Sequence, residues 1–156
     1  MAAATGFHDH DHEACRASLI ARVERLCGAR GLQFTPQRRR VLEILVQSHR
    51  ATGAYDILAV LEAEGHAPQP PIVYRALDFL TGLGCVHRIE RLNAFVACSN
   101  PGEAHHPAFM ICRGCKCVAE MEAPPPLSEE AREVGFKVET TVVELEGLCP
   151  RCGASA

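Results

Sequence analysis

Four cysteines, in two pairs, are the residues of this chain best suited to chemistry. Cys112-x-x-Cys115 and Cys149-x-x-Cys152 are two CxxC turns separated by 33 residues. Each turn presents two sulfurs to one side, and zinc takes four thiolates tetrahedrally at about 2.3 Å. Two turns fill that shell and leave no position for water, which describes a structural ion rather than a catalytic one. The competing reading is two redox motifs or free thiols. A redox CxxC belongs at a strand-to-helix junction within a βαβ pattern, and neither pair has one. The small domain around these cysteines also needs a staple.

With those four set aside, His87, Cys98, His105, His106 and Glu120 remain clustered in sequence. Two His, one Cys and one Glu make a tetrahedral set whose two anions balance Zn²⁺, so no net charge is buried. The thiolate favours zinc over Fe²⁺ or Mn²⁺. Spacing alone leaves this set open, because a hairpin histidine is equally explained by structure or exposure, and Glu120 by a solvated edge. The run His8-Asp9-His10-Asp11-His12 suggests weak metal binding, against the solvated tail that such termini ordinarily form. Cys15, Cys27 and Cys85 fit helix faces or a helix end as packing residues. Cys117 is out of phase with its CxxC and is expected to be a non-ligand.

The elements that must position these groups are legible from periodicity. Residues 1–13 lack apolar spacing and are expected to form a mobile tail. Leu19, Ile20, Val23, Leu26 and Cys27 fall at helical spacing between Cys15 and Arg30, with Gly31 as the stop. Thr35-Pro36 reads as an N-cap and a first-turn proline. Val41, Leu42, Ile44, Leu45 and Val46 line the helix after it. A third helix runs from about Ala54 to Glu64. His66–Pro71, with three prolines, is expected to be non-helical, and a fourth helix follows from about Ile72 to Gly82 or Gly84. Strands near Val86–Glu90 and Ala94–Cys98 form a hairpin around Arg91-Leu92-Asn93. Short helices followed by a hairpin outline a winged helix-turn-helix.

Beyond the loop Ser99–Pro107, Ala108–Cys112 and Val118–Met121 read as strands around a metal knuckle. Pro124-Pro125-Pro126 is a stiff break. Ser128 caps a short helix, and Phe136–Leu148, rich in Val and Thr, reads as one or two strands. The fold class is therefore α+β: an N-terminal winged helix-turn-helix domain and a C-terminal α/β domain with a four-cysteine zinc site. The divisions are a tail at 1–13, a DNA-binding unit at 14–90, a hinge at 91–99 and a zinc-binding unit at 100–156.

Composition agrees with this division. The 156 residues carry a net charge of −3. Residues 14–85 hold nine Arg and no Lys against six acids, whereas residues 86–156 hold seven basic residues against ten acids. A basic first half and an acidic second half divide the labour between nucleic acid and another task. Nine cysteines without an export signal indicate thiols or metal rather than disulfides. No long apolar run is present, so a soluble cytoplasmic protein is expected.

Several stretches together carry a family resemblance. They are Thr35-Pro36-Gln37-Arg38, Ala54-Tyr55-Asp56-Ile57-Leu58, Val73-Tyr74-Arg75-Ala76-Leu77-Asp78-Phe79-Leu80, His87-Arg88 and the two CxxC pairs. In this order the chain resembles the Fur family of metal-dependent bacterial transcription regulators, and within it the zinc-sensing branch. The resemblance implies a C-terminal dimerisation role and metal-favoured DNA binding. It also implies that His87, Cys98, His105 and Glu120 bind a sensory zinc, giving two zinc ions per chain. Iron and peroxide sensors of the family usually carry nearer histidines before the first CxxC. Here the run is His105-His106-Pro107-Ala108-Phe109-Met110-Ile111, and Thr141 stands where those sensors have another histidine.

The resemblance further implies that the helix at 72–83 enters the major groove of a pseudo-palindromic operator read by a homodimer. Arg75 suits guanine O6 and N7. Tyr55, Tyr74, Arg38, Arg39 and Arg40 are candidates for further contacts. Ile72 stands where the family often has a Ser or Thr, which removes one cap or phosphate contact. The expected function is a zinc-responsive repressor of zinc-uptake genes, with no membrane partner. The alternatives are an iron or peroxide sensor of the same family, or a zinc or thiol enzyme. The enzyme is disfavoured because no Ser/His/Asp set is visible.

Overall fold

Thr35 accepts a hydrogen bond from Arg38 N at 3.3 Å and Pro36 occupies the first turn, so the second helix starts where its cap and proline require. The structure is a computed structural model describing residues 5–7, 9–124 and 128–155. Its first unit comprises α1 (His12–Ala29), α2 (Pro36–Leu45), α3 (Ala54–Ala63) and α4 (Pro70–Gly82). An antiparallel hairpin follows, β1 (Val86–Ile89) with β2 (Ala94–Ala97). The second unit holds β3 (Pro107–Cys112), β4 (Val118–Glu122), α5 (Ser128–Glu133), β5 (Glu144–Gly147) and α6 (Pro150–Gly153). Its sheet has the order β4-β3-β5, with β4 antiparallel and β5 parallel to β3. The α+β class is as expected.

Three local expectations need correction. Residues 1–13 are not a loose tail where they are described. Thr5–Phe7 forms a 3-10 turn against β4, and Gly6 is buried there. A Cβ on Gly6 would meet Val118 O at 2.3 Å, so only glycine permits this approach. Asp11 then caps α1 by accepting from Ala14 N at 3.0 Å, which starts the helix at His12 rather than Cys15. His8 lies outside the described residues. Second, α4 begins at Pro70, inside the stretch expected to be non-helical. Both prolines sit in the first turn, where missing N–H groups cost no intrahelical bond. Third, the Val/Thr-rich stretch forms a strand only at Glu144–Gly147, where β3 supplies the hydrogen-bonding edge. Pro125 and Pro126 of the expected proline break lie outside the described residues.

Two apolar clusters organise the molecule. The larger lies among the first four helices and includes Val23, Leu42, Leu45, Ile57, Leu77, Leu80 and Val86. The smaller joins Ile89 and Val96 of the hairpin to Phe109, Ile111 and Val118 of the sheet. The hairpin therefore packs on both units. Other bonds hold the same joint. Val118 N donates to His49 O at 2.7 Å, and Thr52 pairs with Phe95. Glu144 accepts from Glu90 N at 2.6 Å and Arg91 N at 3.0 Å. Among the described residues no helix is long and apolar enough to cross a membrane.

Candidate metal centres and nucleic-acid face

The turn after β3 and the short α6 bring together the four cysteines expected from sequence. Cys112, Cys115, Cys149 and Cys152 place their sulfurs within 4.8 Å of one another. Cys115 Sγ and Cys149 Sγ are 3.8 Å apart. Four thiolates at tetrahedral zinc stand roughly 3.8 Å apart, so the spacing fits that ion. Gly114 leaves room for this approach, since a Cβ would sit 3.0 Å from Cys152 Sγ. Cys117 is not among the four. It belongs to a bridge with Arg50.

Backbone amides prepare this cluster for charge. Hydrogen bonds from Cys115 N and Cys149 N pull the Cys112 thiol down to about 6. Hydrogen bonding to Cys149 and Cys112 pushes Cys152 up to about 12. One thiolate is thus favoured and a crowded second one resisted. A divalent cation removes that conflict by neutralising the shared charge.

The second expected set also comes together. His87 lies on β1, Cys98 just after β2, His105 before β3 and Glu120 within β4. Their donor atoms lie within 4.8 Å of one another. Cys98 Sγ is 3.5 Å from His105 Nε2, and His87 Nε2 is 3.8 Å from Glu120 Oε1. Donors bound tetrahedrally at 2.0–2.3 Å stand roughly 3.3–3.8 Å apart, so the set is near the zinc arrangement without one. His105 Nε2 and Glu120 Oε1 are closer, at 2.7 Å, within hydrogen-bond distance. Glu120 Oε2 also accepts from Ser99 N at 3.0 Å.

Protonation in this pocket is set by burial and neighbours. Burial holds His87 below the usual imidazole range, although Glu120 pulls the other way. Its Nε2 is buried with no hydrogen-bond partner among the described residues. An orphaned ring nitrogen is costly, and a cation relieves it. Burial also opposes a charge on His105, but hydrogen bonds to Glu103 O and Glu120 raise it overall. Burial, then the Glu120 charge, pushes Cys98 up to about 12. With thiolate and carboxylate ionised and both rings neutral, the set carries −2, which matches a divalent ion. His106 is not part of it.

The expected nucleic-acid residues divide into two groups. Tyr55 on α3 and Tyr74 on α4 are 70% and 42% exposed, and Arg75 is exposed with no ion pair to a described residue. Arg38 is committed internally: its guanidinium lies 3.6 Å from the Phe79 ring centroid, and it donates to Gln33 O at 2.6 Å. Arg39 pairs with Glu24 and with Glu43, the latter at 3.0 Å. Arg40 pairs with Glu64 and Glu43. No side chain caps α4, whose N-cap position is Gln69, so Ile72 lies inside the first turn rather than at the cap.

Sequence reasoning passed over His49. It falls beside His10 and His12, with one ring nitrogen of each within 4.8 Å of the others. Its position in a loop with no metal motif around it offered no signal.

The chain is 40% identical over 139 residues to the zinc uptake regulation protein of Escherichia coli, covering 86% of this chain and 81% of that one. A solved structure of a zinc uptake regulator complexed with zinc and DNA superposes with a TM-score of 0.79, at 37% identity, over 90% of this chain and 96% of that one. The regulator XcZur has been solved in two forms. The holo form gives a TM-score of 0.80 at 40% identity, over 88% of this chain and 98% of that one. The apo form gives 0.54 at 38% identity, over 90% and 99%. The profile of the ferric uptake regulator family matches residues 29–146. The chain belongs to the ferric uptake regulator family.

Proposed function

We propose that this chain is a zinc-responsive, DNA-binding transcriptional repressor that acts as a homodimer and controls zinc-uptake genes. The observation that carries the reading is the mixed donor set at the joint. His87 and Cys98 come from the hairpin, His105 and Glu120 from the sheet side, and His87 Nε2 is buried without a hydrogen-bond partner among the described residues. The relatives named above, one bound to zinc and DNA, support it. The closer likeness to the holo than to the apo form of XcZur supports a metal-dependent arrangement of the two units.

Cys112, Cys115, Cys149 and Cys152 would hold a structural zinc, and His87, Cys98, His105 and Glu120 a sensory one, making two per chain. In the sensory set a bound ion would supply a divalent charge that balances the Cys98 thiolate and the Glu120 carboxylate, with His87 and His105 as neutral donors. The four side chains then join residues 14–90 to residues 100–156 across a hinge at 91–99. Ordering that hinge before DNA arrives leaves less ordering for DNA binding to overcome, so metal and DNA affinities are coupled reciprocally.

Arg75, Tyr74 and Tyr55 present the free contacts for DNA, with α4 in the major groove. Arg38 and Arg39 serve it less directly, through the internal pairs they already make. Exposed Val134, Phe136, Val142 and Leu145 give the second unit an apolar surface for a second copy. A dimer reads half-sites about 10 bp apart or a multiple of that.

The test is fluorescence anisotropy with a labelled duplex, recovered by in vitro selection on zinc-loaded protein, at buffered free zinc. Affinity is expected to fall when sensory zinc is withdrawn. Equal affinity in both conditions would overturn the proposal. Competition metallation that favours Fe²⁺ or Mn²⁺ over Zn²⁺ would point instead to an iron or peroxide sensor.

A further inference from the structure

We propose that His10, His12 and His49 form a third zinc site, built from three imidazoles, that ties the start of α1 to the loop between α2 and α3. His10 Nε2 and His49 Nε2 are 3.3 Å apart. Two nitrogens bound to one zinc at about 2.0 Å stand roughly 3.3 Å apart, so this pair already has the spacing. The ring centroids lie 4.9 to 5.6 Å from one another.

The tautomer of His12 is decided by its surroundings. Its Nε2 lies 3.0 Å from Gln47 O. A carbonyl only accepts, so Nε2 carries the proton and neutral His12 keeps a lone pair on Nδ1. That Nδ1 is buried and has no hydrogen-bond partner among the described residues. A histidine whose distal N–H is held by a backbone carbonyl is the arrangement that orients metal-binding imidazoles. Ring stacking alone accounts for the grouping but not for the bare nitrogen. Burial, and then the neighbouring His12 and His10, hold His49 below the usual imidazole range.

The backbone around the three rings is held in place. Asp11 caps α1 between His10 and His12. His49 O accepts from Val118 N at 2.7 Å, Arg50 bridges to Cys117 and Thr52 to Phe95. The loop that bears His49 is therefore bonded to both β4 and β2. A cation held by the three rings adds the N-terminal segment to that joint. An all-imidazole set suits zinc, as it suits copper and nickel, and one coordination position stays open to water. Lacking an anion, the site binds more weakly than either thiolate-containing set. This site stands whether or not the regulatory reading above holds.

The experiment titrates full-length protein, already loaded with two zinc ions per chain, against a chromophoric chelator. Wild type is expected to take up a third equivalent of Zn²⁺. His10→Ala removes an exposed ring and no core contact, and His49→Gln removes a second donor. Each is expected to weaken the third equivalent by at least about tenfold while the first two stay unchanged. With Co²⁺ as the third equivalent, d–d bands are expected without a sulfur-to-cobalt charge-transfer band. The proposal is overturned if no third equivalent binds, if both variants retain it at wild-type affinity, or if the charge-transfer band appears and assigns it to a thiol.

Discussion

His87→Ala is the substitution that best separates a sensor from a scaffold. His87 Nε2 is buried with no hydrogen-bond partner among the described residues, its contact with Glu120 Oε1 being 3.8 Å, while the ring packs on Phe109 with centroids 5.3 Å apart. Deleting the ring removes an unsatisfied polar atom, a gain of roughly 1–3 kcal/mol. It also leaves a partial cavity, a loss of similar size. The zinc-depleted variant should therefore unfold within about 1 kcal/mol of wild type. Zinc changes the comparison. Wild type gains stability as the metal binds the folded state, and the variant, short of a hairpin donor, gains much less. A coupling of about 1–3 kcal/mol corresponds to roughly 5–150-fold in DNA affinity, and the variant should lose most of it. The assay pairs thermal unfolding with anisotropy on the selected duplex. A chelator strong enough for the mixed site but too weak for the four-thiolate site is used, and one retained zinc per chain verifies its action. The reasoning is refuted if His87→Ala keeps the wild-type zinc dependence of DNA binding. It is also refuted if the zinc-depleted variant loses several kcal/mol, because His87 would then be a scaffold residue.

Three further outcomes follow from the geometry. Cys149→Ser should remove the structural ion and unfold the second unit, because binding energy at such sites is folding energy. Zinc stoichiometry and circular dichroism check it, and a folded variant with full zinc content contradicts it. Zinc affinity at the mixed site should fall as pH falls, since Cys98, held up at about 12, and His105, held above its usual range, must both lose protons to bind. Proton release measured by calorimetry in different buffers should approach two per zinc at low pH and one at high pH, with Cys98→Ser releasing one fewer throughout. Arg75→Ala should weaken DNA binding by about 1–3 kcal/mol at unchanged zinc content. Arg39→Ala should weaken it less, because its ion pairs with Glu24 and Glu43 already engage it. Equal losses in anisotropy would remove that distinction.

The two metal sites were legible to different depths in the sequence, and for a physical reason. Paired CxxC turns are local, so spacing alone names Cys112, Cys115, Cys149 and Cys152. His87, Cys98, His105 and Glu120 lie on four separate segments, and residue spacing left them open. What unites them is the packing of Ile89 and Val96 against Phe109, Ile111 and Val118, which sets the hairpin against the sheet. Apolar periodicity and the Thr35-Pro36 cap likewise announced the helices. They did not announce that Pro70 and Pro71 would begin one.

What the sequence by itself determined is the chemistry available: thiolates in pairs, a mixed donor set, an arginine-bearing first half and short amphipathic helices. Only the tertiary structure decided which of these groups remain free. It committed Arg38 and Arg39 to Phe79, Glu24 and Glu43, and left Arg75 exposed. It folded the N-terminal segment onto β4, where Gly6 alone permits contact, and so brought His10 and His12 to His49. Residue type and local spacing specify what a side chain can bind. Long-range burial and backbone pairing specify which side chains meet, because the contacts that bring them together lie far apart along the chain.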